Sequence, residues 1–345
     1  MTETANPIQQ ALNCLIQGQD IPHELMRQTM TQIMEGQADP ATIGGLLVGL
    51  RIKGESVDEI AAAAEVMRTF ATPVTVSVDG LTDIVGTGGD GASTFNVSTA
   101  ASFVAAVAGV RIAKHGNRSV SSRSGAADLL EAAGCRLDLS AEAVETLIDQ
   151  HGIAFLFAPQ HHGAMRHAIG PRRALGVWSL FNLLGPLTNP ASAPNQVLGV
   201  FSPERVGVMA QAMQRLGARH VMVVSSEDGL DEISPAAPTH VAELKDGTLT
   251  EYTLTPESLG LESLSLEGLQ VSGPEESLAM VRAVLGGQGQ PAARQIVGMN
   301  AGAAIYVSGQ AETLKDGVAR ALEIIDGGEA LALLERYAQA TQAVD

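Results

Sequence analysis

The stretch from Asp83 to Arg123, DIVGTGGDGASTFNVSTAASFVAAVAGVRIAKHGNRSVSSR, sets the architecture. Asp83-Ile84-Val85 is short and β-branched, which favours a strand, and the glycine run from Gly86 to Gly91 ends it. Thr99 to Ala108 is small and apolar, as a buried helix requires, with Gly109 as its stop. Val110 to Ala113 predicts a second strand, leading into a polar turn from Lys114 to Ser122. A crossover of this length makes the two strands parallel and brings both turns to one sheet edge. That edge collects glycines, hydroxyls, an asparagine, Lys114, Arg118 and Arg123. Backbone N–H groups in glycine turns, helix starts and cationic side chains all bind phosphate oxygens, so the edge suits a polyphosphate. GTGGDG has no following Gly-Lys-Ser/Thr and is not a dinucleotide fingerprint. Taken alone it is equally well a tight turn; two such turns at adjacent strand ends favour the phosphate reading.

Upstream, the first 70 residues read as four helices. Ile8, Ala11, Leu12, Leu15 and Ile16 share a face of the first; Met26, Met30, Ile33 and Met34 share one of the second. Asp39-Pro40 opens a third, and Ser56 with Glu59 forms a capping box for a fourth. The methionine stripe reads as core or subunit contact rather than a ligand site. Phe70 to Gly80 connects these helices to a second domain.

Downstream, strands and helices alternate, which predicts an α/β domain. Ile153 to Phe157, Asn195 to Phe201 and His220 to Ser225 read as strands, and Val241 to Leu254 as a hairpin turning at Lys245-Asp246-Gly247. Ala164 to Leu184 reads as one helical stretch. Pro274 to Leu285, Ala292 to Ile305, Ala311 to Ile325 and a final amphipathic segment are helical.

The chain has 345 residues and a formal net charge of −17, which argues against a nucleic-acid surface and requires any phosphate site to be local. Cys14 and Cys135 are too few for a disulfide framework, and no Cys/His cluster suggests zinc. The N-terminus lacks a signal pattern and no segment is apolar enough to span a membrane, so a cytoplasmic protein is expected.

GTGGD, NVSTA from Asn96, KHGNRSVSSRSG from Lys114, the pair His161-His162, Arg172-Arg173, FNLLGPLTNP from Phe181 and GLDEIS from Gly229 occur in order along most of the chain. Together they resemble the anthranilate phosphoribosyltransferase family. The resemblance implies a nucleoside phosphorylase/phosphoribosyltransferase-like fold: a small all-helical domain plus a large α/β domain with a mostly parallel central sheet. The helical domain would take residues 1–72, rejoined by about 164–190; the α/β domain would take 73–163 and 191–345. It also implies a homodimer through the helical domain, with anthranilate and 5-phosphoribosyl 1-pyrophosphate as substrates. A pyrimidine nucleoside phosphorylase is the alternative on the same fold, which the KHGN and Arg172 segments fit less well.

Residue by residue, the resemblance implies contacts to phosphoribosyl pyrophosphate from Gly86, Gly89, Asp90, Thr94, Asn96, Val97, Ser98 and Thr99. It extends them to Lys114, His115, Gly116, Asn117, Arg118, Ser119, Val120, Ser121, Ser122 and Ala126, the last where many relatives carry serine. Gly86, Asn117 and Arg172 would meet anthranilate, and Lys114, Asn117 and Arg172 would stand at the reacting groups. Ser98, Asp231 and Glu232 would hold Mg2+, a hard cation that takes oxygen ligands. Without the resemblance, adjacent acids in a loop are usually just solvated, and Arg172 is as readily paired with a nearby acid. His115, His161 and His162 read as structural or positioning groups, and no dedicated general base stands out.

Overall fold

The computed structural model describes residues 6–76, 78–119 and 123–344. Val120, Ser121 and Ser122 of the second turn lie outside them. Four helices come first: α1 (Pro7–Ile16), α2 (His23–Met34), α3 (Pro40–Lys53) and α4 (Val57–Phe70). Asn6 and Asp39 cap α1 and α3 ahead of a first-turn proline, and the Ser56/Glu59 capping box starts α4. Met26, Met30, Ile33 and Met34 are buried, so the methionine stripe is core. Ile16 is not: it is 82% exposed at the end of α1.

The α/β part continues with β1 (Thr82–Gly86), α5 (Val97–Val107), β2 (Ile112–Gly116), α6 (Ala126–Ala132), α7 (Ala141–His151) and β3 (Ile153–Phe157). After β3 come α8 (Ala158–His161), α9 (Arg166–Leu175) and α10 (Leu180–Leu184). Then follow β4 (Asn195–Gly199), α11 (Val206–Arg215), β5 (His220–Ser226), β6 (Thr239–Lys245) and β7 (Thr248–Leu254). The chain closes with α12 (Pro274–Leu285), α13 (Pro291–Val307), α14 (Leu314–Gly327) and α15 (Glu329–Ala343).

Two sequence expectations need correction. The stretch 164–184 is not one helix: Gly176 takes a left-handed conformation that ends α9, and Ser179 begins α10. The second strand does not stop at Ala113: β2 carries Lys114 and His115 inside the sheet, where both are buried. A lysine and a histidine carry no strand signal, so periodicity ended the strand too early.

The seven strands order as β3-β2-β1-β4-β5-β6-β7, parallel from β3 to β5 and antiparallel from β5 to β7. The chain moves outward from β1 to β3, then returns to the other side of β1 as β4. The β1/β4 boundary is therefore the topological switch point, where the strand ends leave a crevice. Strand alternation sorts side chains to two cores. Val197, Met222, Val224 and Val241 face α5 and the C-terminal helices. Leu198, Val221, Val223 and Ala242 face α11 and, beyond it, a core shared with α1–α4, α9 and α10. The helical bundle thus sits on the sheet through α11, and α9 and α10 pack among its helices.

Candidate active site

Four loops converge at the carboxyl ends of β1, β2, β4 and β5. The glycine loop follows β1, and the Asp231-Glu232 segment following β5 lies directly over it. Gly88 N–H donates to Asp231 Oδ2 at 2.8 Å. A Cβ on Gly86 would collide with Asp231 Oδ2, and one on Gly199, at the end of β4, with the Asp231 carbonyl oxygen. Both glycines are there for close approach rather than for an unusual φ. The acidic pair is thereby set across the switch point.

These acids are half-buried and their carboxylates largely desolvated, contrary to the plain expectation for a loop pair. Burial, then the Asp90 charge, raises the Asp231 carboxyl to about 6. Burial, then Asp231 and Asp90, holds Glu232 well above the usual range. Glu232 Oε2 is buried with no hydrogen-bond partner. That carboxylate oxygen, with two further acids and Ser98 nearby, makes an all-oxygen donor set that fits magnesium. Among the described residues no group of three or more His, Cys, Asp or Glu side chains closes a metal cage.

Lys114 is the one cation inside this cluster among the described residues, and it is not a mobile donor. Its Nζ donates to the Ile84 carbonyl at 2.6 Å and to Ser98 Oγ at 3.3 Å. Burial lowers its ammonium to about 8, while Asp83, Glu232 and Asp231 pull the other way. It therefore fixes Ser98 against the acids. Asp83 accepts from the His115 N–H at 3.2 Å and from Asn189 Nδ2 at 2.8 Å, and Asn189 also donates to the Ala113 carbonyl. Asn189, in the FNLLGPLTNP segment, is a brace between β1 and β2 whose role no local pattern revealed.

The remaining predicted residues divide by loop. Asn96 is the hub between the two loops: its Nδ2 donates to the Ser124 carbonyl, and its Oδ1 accepts from Ser124 Oγ and Ser277 Oγ. Val97 and Thr99 are buried at the start of α5, Thr99 Oγ1 without a partner. Thr94 makes an isolated antiparallel bridge to Gln270, pinning the glycine loop from behind. In the second loop, Asp128 Oδ2 accepts from the Ser119 and Gly125 N–H groups, closing the turn. Its place three residues after Gly125 is a capping-box spacing that sequence reasoning passed over. Asn117 Oδ1 accepts from the Arg118 N–H at 2.7 Å. Arg118, expected as a free forked donor, is paired to Glu131 and Asp128 and lies over the Phe157 ring. Gly116 lies against Phe155, with Ala126 next to it at the start of α6.

Arg172 sits half-buried in the last turn of α9, and the expected bland partner, a neighbouring acid, is missing among the described residues. Desolvation alone lowers its guanidinium from the ordinary value. A half-desolvated, unpaired guanidinium is prepared for a carboxylate. The α9–α10 segment meets the loops at two points: His115 Nδ1 lies 3.2 Å from the Gly185 carbonyl, and Trp178 lies against Gly89. Gly89 has φ +92, so a side chain there would also strain the backbone.

The histidines are held neutral. His115 Nε2 and His162 Nε2 are 3.2 Å apart, and His161 Nδ1 is 3.2 Å from the Thr72 carbonyl. Burial, then neighbouring histidine charge, pushes His115 down to about 3 and His162 to about 4. Between those values and the ordinary 6.5, the unfolded chain binds protons that the folded one refuses, so stability falls as pH drops through that window. Acidification from about pH 7.5 to 5 is expected to cost about 2 kcal/mol per histidine. His162→Gln should remove about half of that slope in denaturant titrations at several pH values, and an unaltered slope would dismiss the pair as its source.

Comparison with known proteins follows the same lines. The glycosyl transferase family helical bundle domain matches residues 9–71, and the glycosyl transferase family a/b domain matches residues 78–331. The chain is 54% identical over 338 residues to an anthranilate phosphoribosyltransferase of Marinobacter nauticus, covering 97% of this chain and 99% of that protein. A relative of the same name from Azotobacter vinelandii is 54% identical, with 97% of each chain covered. The crystal structure of anthranilate phosphoribosyltransferase from Thermus thermophilus superposes with a TM-score of 0.91 at 46% identity, covering 96% of this chain and 99% of that one. The Saccharomyces cerevisiae enzyme in complex with PRPP and Mg superposes with a TM-score of 0.88 at 28% identity, covering 99% of each.

Proposed function

This chain belongs to the anthranilate phosphoribosyltransferase family of glycosyl transferases, and from that membership we propose how its residues divide the reaction. The chain transfers the phosphoribosyl group of 5-phosphoribosyl 1-pyrophosphate (PRPP) to the amine of anthranilate, giving N-(5-phosphoribosyl)anthranilate and pyrophosphate in tryptophan biosynthesis. The relatives support this reading and not the nucleoside phosphorylase alternative.

The observation that carries the assignment is the half-buried, desolvated acidic pair fastened over the glycine loop at the switch point. As the anomeric carbon–oxygen bond breaks, positive charge grows on the ribose and negative charge on the departing diphosphate. The N–H groups of the loops after β1 and β2 receive the diphosphate, where preorganised donors stabilise the developing charge. Magnesium held by Asp231, Glu232 and Ser98 would neutralise that leaving group. Lys114 keeps Ser98 in place and balances part of the acidic charge. Arg172 grips the anthranilate carboxylate, and Asn117 and Gly86 orient its ring and amine. No base is needed before attack, because the arylamine is neutral at pH 7; the proton its nitrogen sheds once the carbon–nitrogen bond has formed passes to the departing diphosphate or to water.

Loss of anthranilate fluorescence on mixing with PRPP and Mg2+ tests the assignment; loss requiring all three supports it, and none rejects it. Arg172→Ala is expected to raise the anthranilate KM roughly 20-fold, the loss of a charge-assisted contact, with the PRPP KM little changed. Equal rises in both constants would remove Arg172 from the acceptor site.

The domain, subunit and cellular assignments are ours on the same footing. The bundle formed by 1–72 and 164–190 is taken as one domain, supported by its shared core. A second copy of the chain covers its exposed face, where Ile16 and Ile52 are 82% and 81% exposed; sedimentation at the mass of one chain would exclude that dimer. Among the described residues no helix is long and apolar enough to cross a membrane. We place the enzyme in the cytoplasm, and secretion of the tagged chain would count against this.

A further inference from the structure

We propose that Trp178 is an additional substrate-binding residue, its indole N–H donating to a diphosphate oxygen of PRPP held on the glycine loop. The inference rests on the assignment of that loop to the diphosphate. Trp178 is the chain's single tryptophan, placed in the break between α9 and α10. Its ring packs against Phe201, just past the end of β4, with centroids 4.1 Å apart and planes at 60°. The indole is thereby anchored to the functional edge of the sheet as well as to the helical return segment.

Its nitrogen edge faces the loop. A Cβ on Gly89 would lie 2.7 Å from Trp178 Nε1 and 3.3 Å from Cε2. Glycine at 89 therefore leaves room for the indole as well as for its own positive φ. The indole N–H is a donor only, and such groups normally find an acceptor when covered. Among the described residues none accepts from it. Gly88, Gly89 and Gly91 all have positive φ, the conformation of backbone nests that bind anions, the Gly88 N–H itself being held by Asp231 Oδ2. An anion seated there brings acceptor oxygens to the edge of the loop that Trp178 covers. A neutral donor suits a place already balanced between acids and a divalent cation.

The single tryptophan makes the test direct. PRPP with Mg2+, and separately pyrophosphate with Mg2+, are titrated into the full-length protein without anthranilate while tryptophan emission is followed. A saturable change with both probes is expected; constant emission overturns the proposal, whatever any variant does. Trp178→Phe keeps an aromatic ring against Phe201 and removes the N–H. Its PRPP KM should rise about tenfold, as for one hydrogen bond to a charged group, with kcat and the anthranilate KM within about twofold. An unchanged PRPP KM, or a uniform loss in all three constants, also overturns it. Wild-type turnover with constant emission rejects Trp178 alone. Calorimetry showing no PRPP binding to the wild-type chain would reject the loop assignment and this inference together.

Discussion

Asp231→Asn combined with Glu232→Gln is expected to lower turnover about a thousandfold while leaving the fold intact. The amides keep the volume of the acids, and an amide oxygen in place of Asp231 Oδ2 would still accept from the Gly88 N–H. What disappears is the charge that, on our assignment, would hold a divalent cation against the leaving group. The same exchange should raise the melting temperature by about 2 °C, because both carboxylates are desolvated at a cost visible in their raised pKa values. Activity and stability moving in opposite directions is the mark of a site strained for function. Turnover with an unchanged magnesium titration would remove the pair from the metal site, and a lowered melting temperature would make their role structural.

Gly199→Ala is expected to cost about a hundredfold in kcat/KM for PRPP, although Gly199 is assigned no substrate contact. Its added methyl would overlap the Asp231 carbonyl oxygen, main chain that cannot swing aside like a flexible side chain. Either the end of β4 or the 231 segment must move, and a displacement of about 1 Å at a charged site costs that much. Overpacking should also destabilise the chain by about 1–3 kcal/mol. Kinetics of the purified variant, compared with Gly217→Ala in an open turn, separate the two effects. Gly217 has nothing within 4 Å of its Cβ position, so its variant should show only the backbone strain of its positive φ. Normal kinetics in Gly199→Ala would mean that the 231 segment is not held where we place it.

The helices of the bundle were legible because capping and apolar spacing are local: Asp39-Pro40 and the Ser56/Glu59 box start α3 and α4 as their sequences require. The glycine loop and the polar turn after β2 were legible for a similar reason, since a strand–helix–strand unit has one preferred geometry. The roles of Lys114 and Arg118 were not. Both read as free cations from their loop setting, yet one is bonded to Ile84 and Ser98 inside the sheet and the other to acids of α6. A side chain's partner depends on which elements fold beside it, and charge alone carries no such information.

An α/β chain with a helical head, two polar turns at one strand edge and, through its motifs taken together, the family could all be read along the sequence. Folding in three dimensions was needed to bring Asp231, 143 residues from Gly88, over the glycine loop. It was needed as well to seat the bundle on the sheet through α11 and to rest Trp178 on Gly89. One cause underlies all three. Short-range sterics and capping act within a few residues, so the order of residues displays them. Burial of a charge, collision with a missing Cβ and the stacking of rings are set by distance in space, which the order of strands β3-β2-β1-β4-β5 brings about only once the sheet has formed.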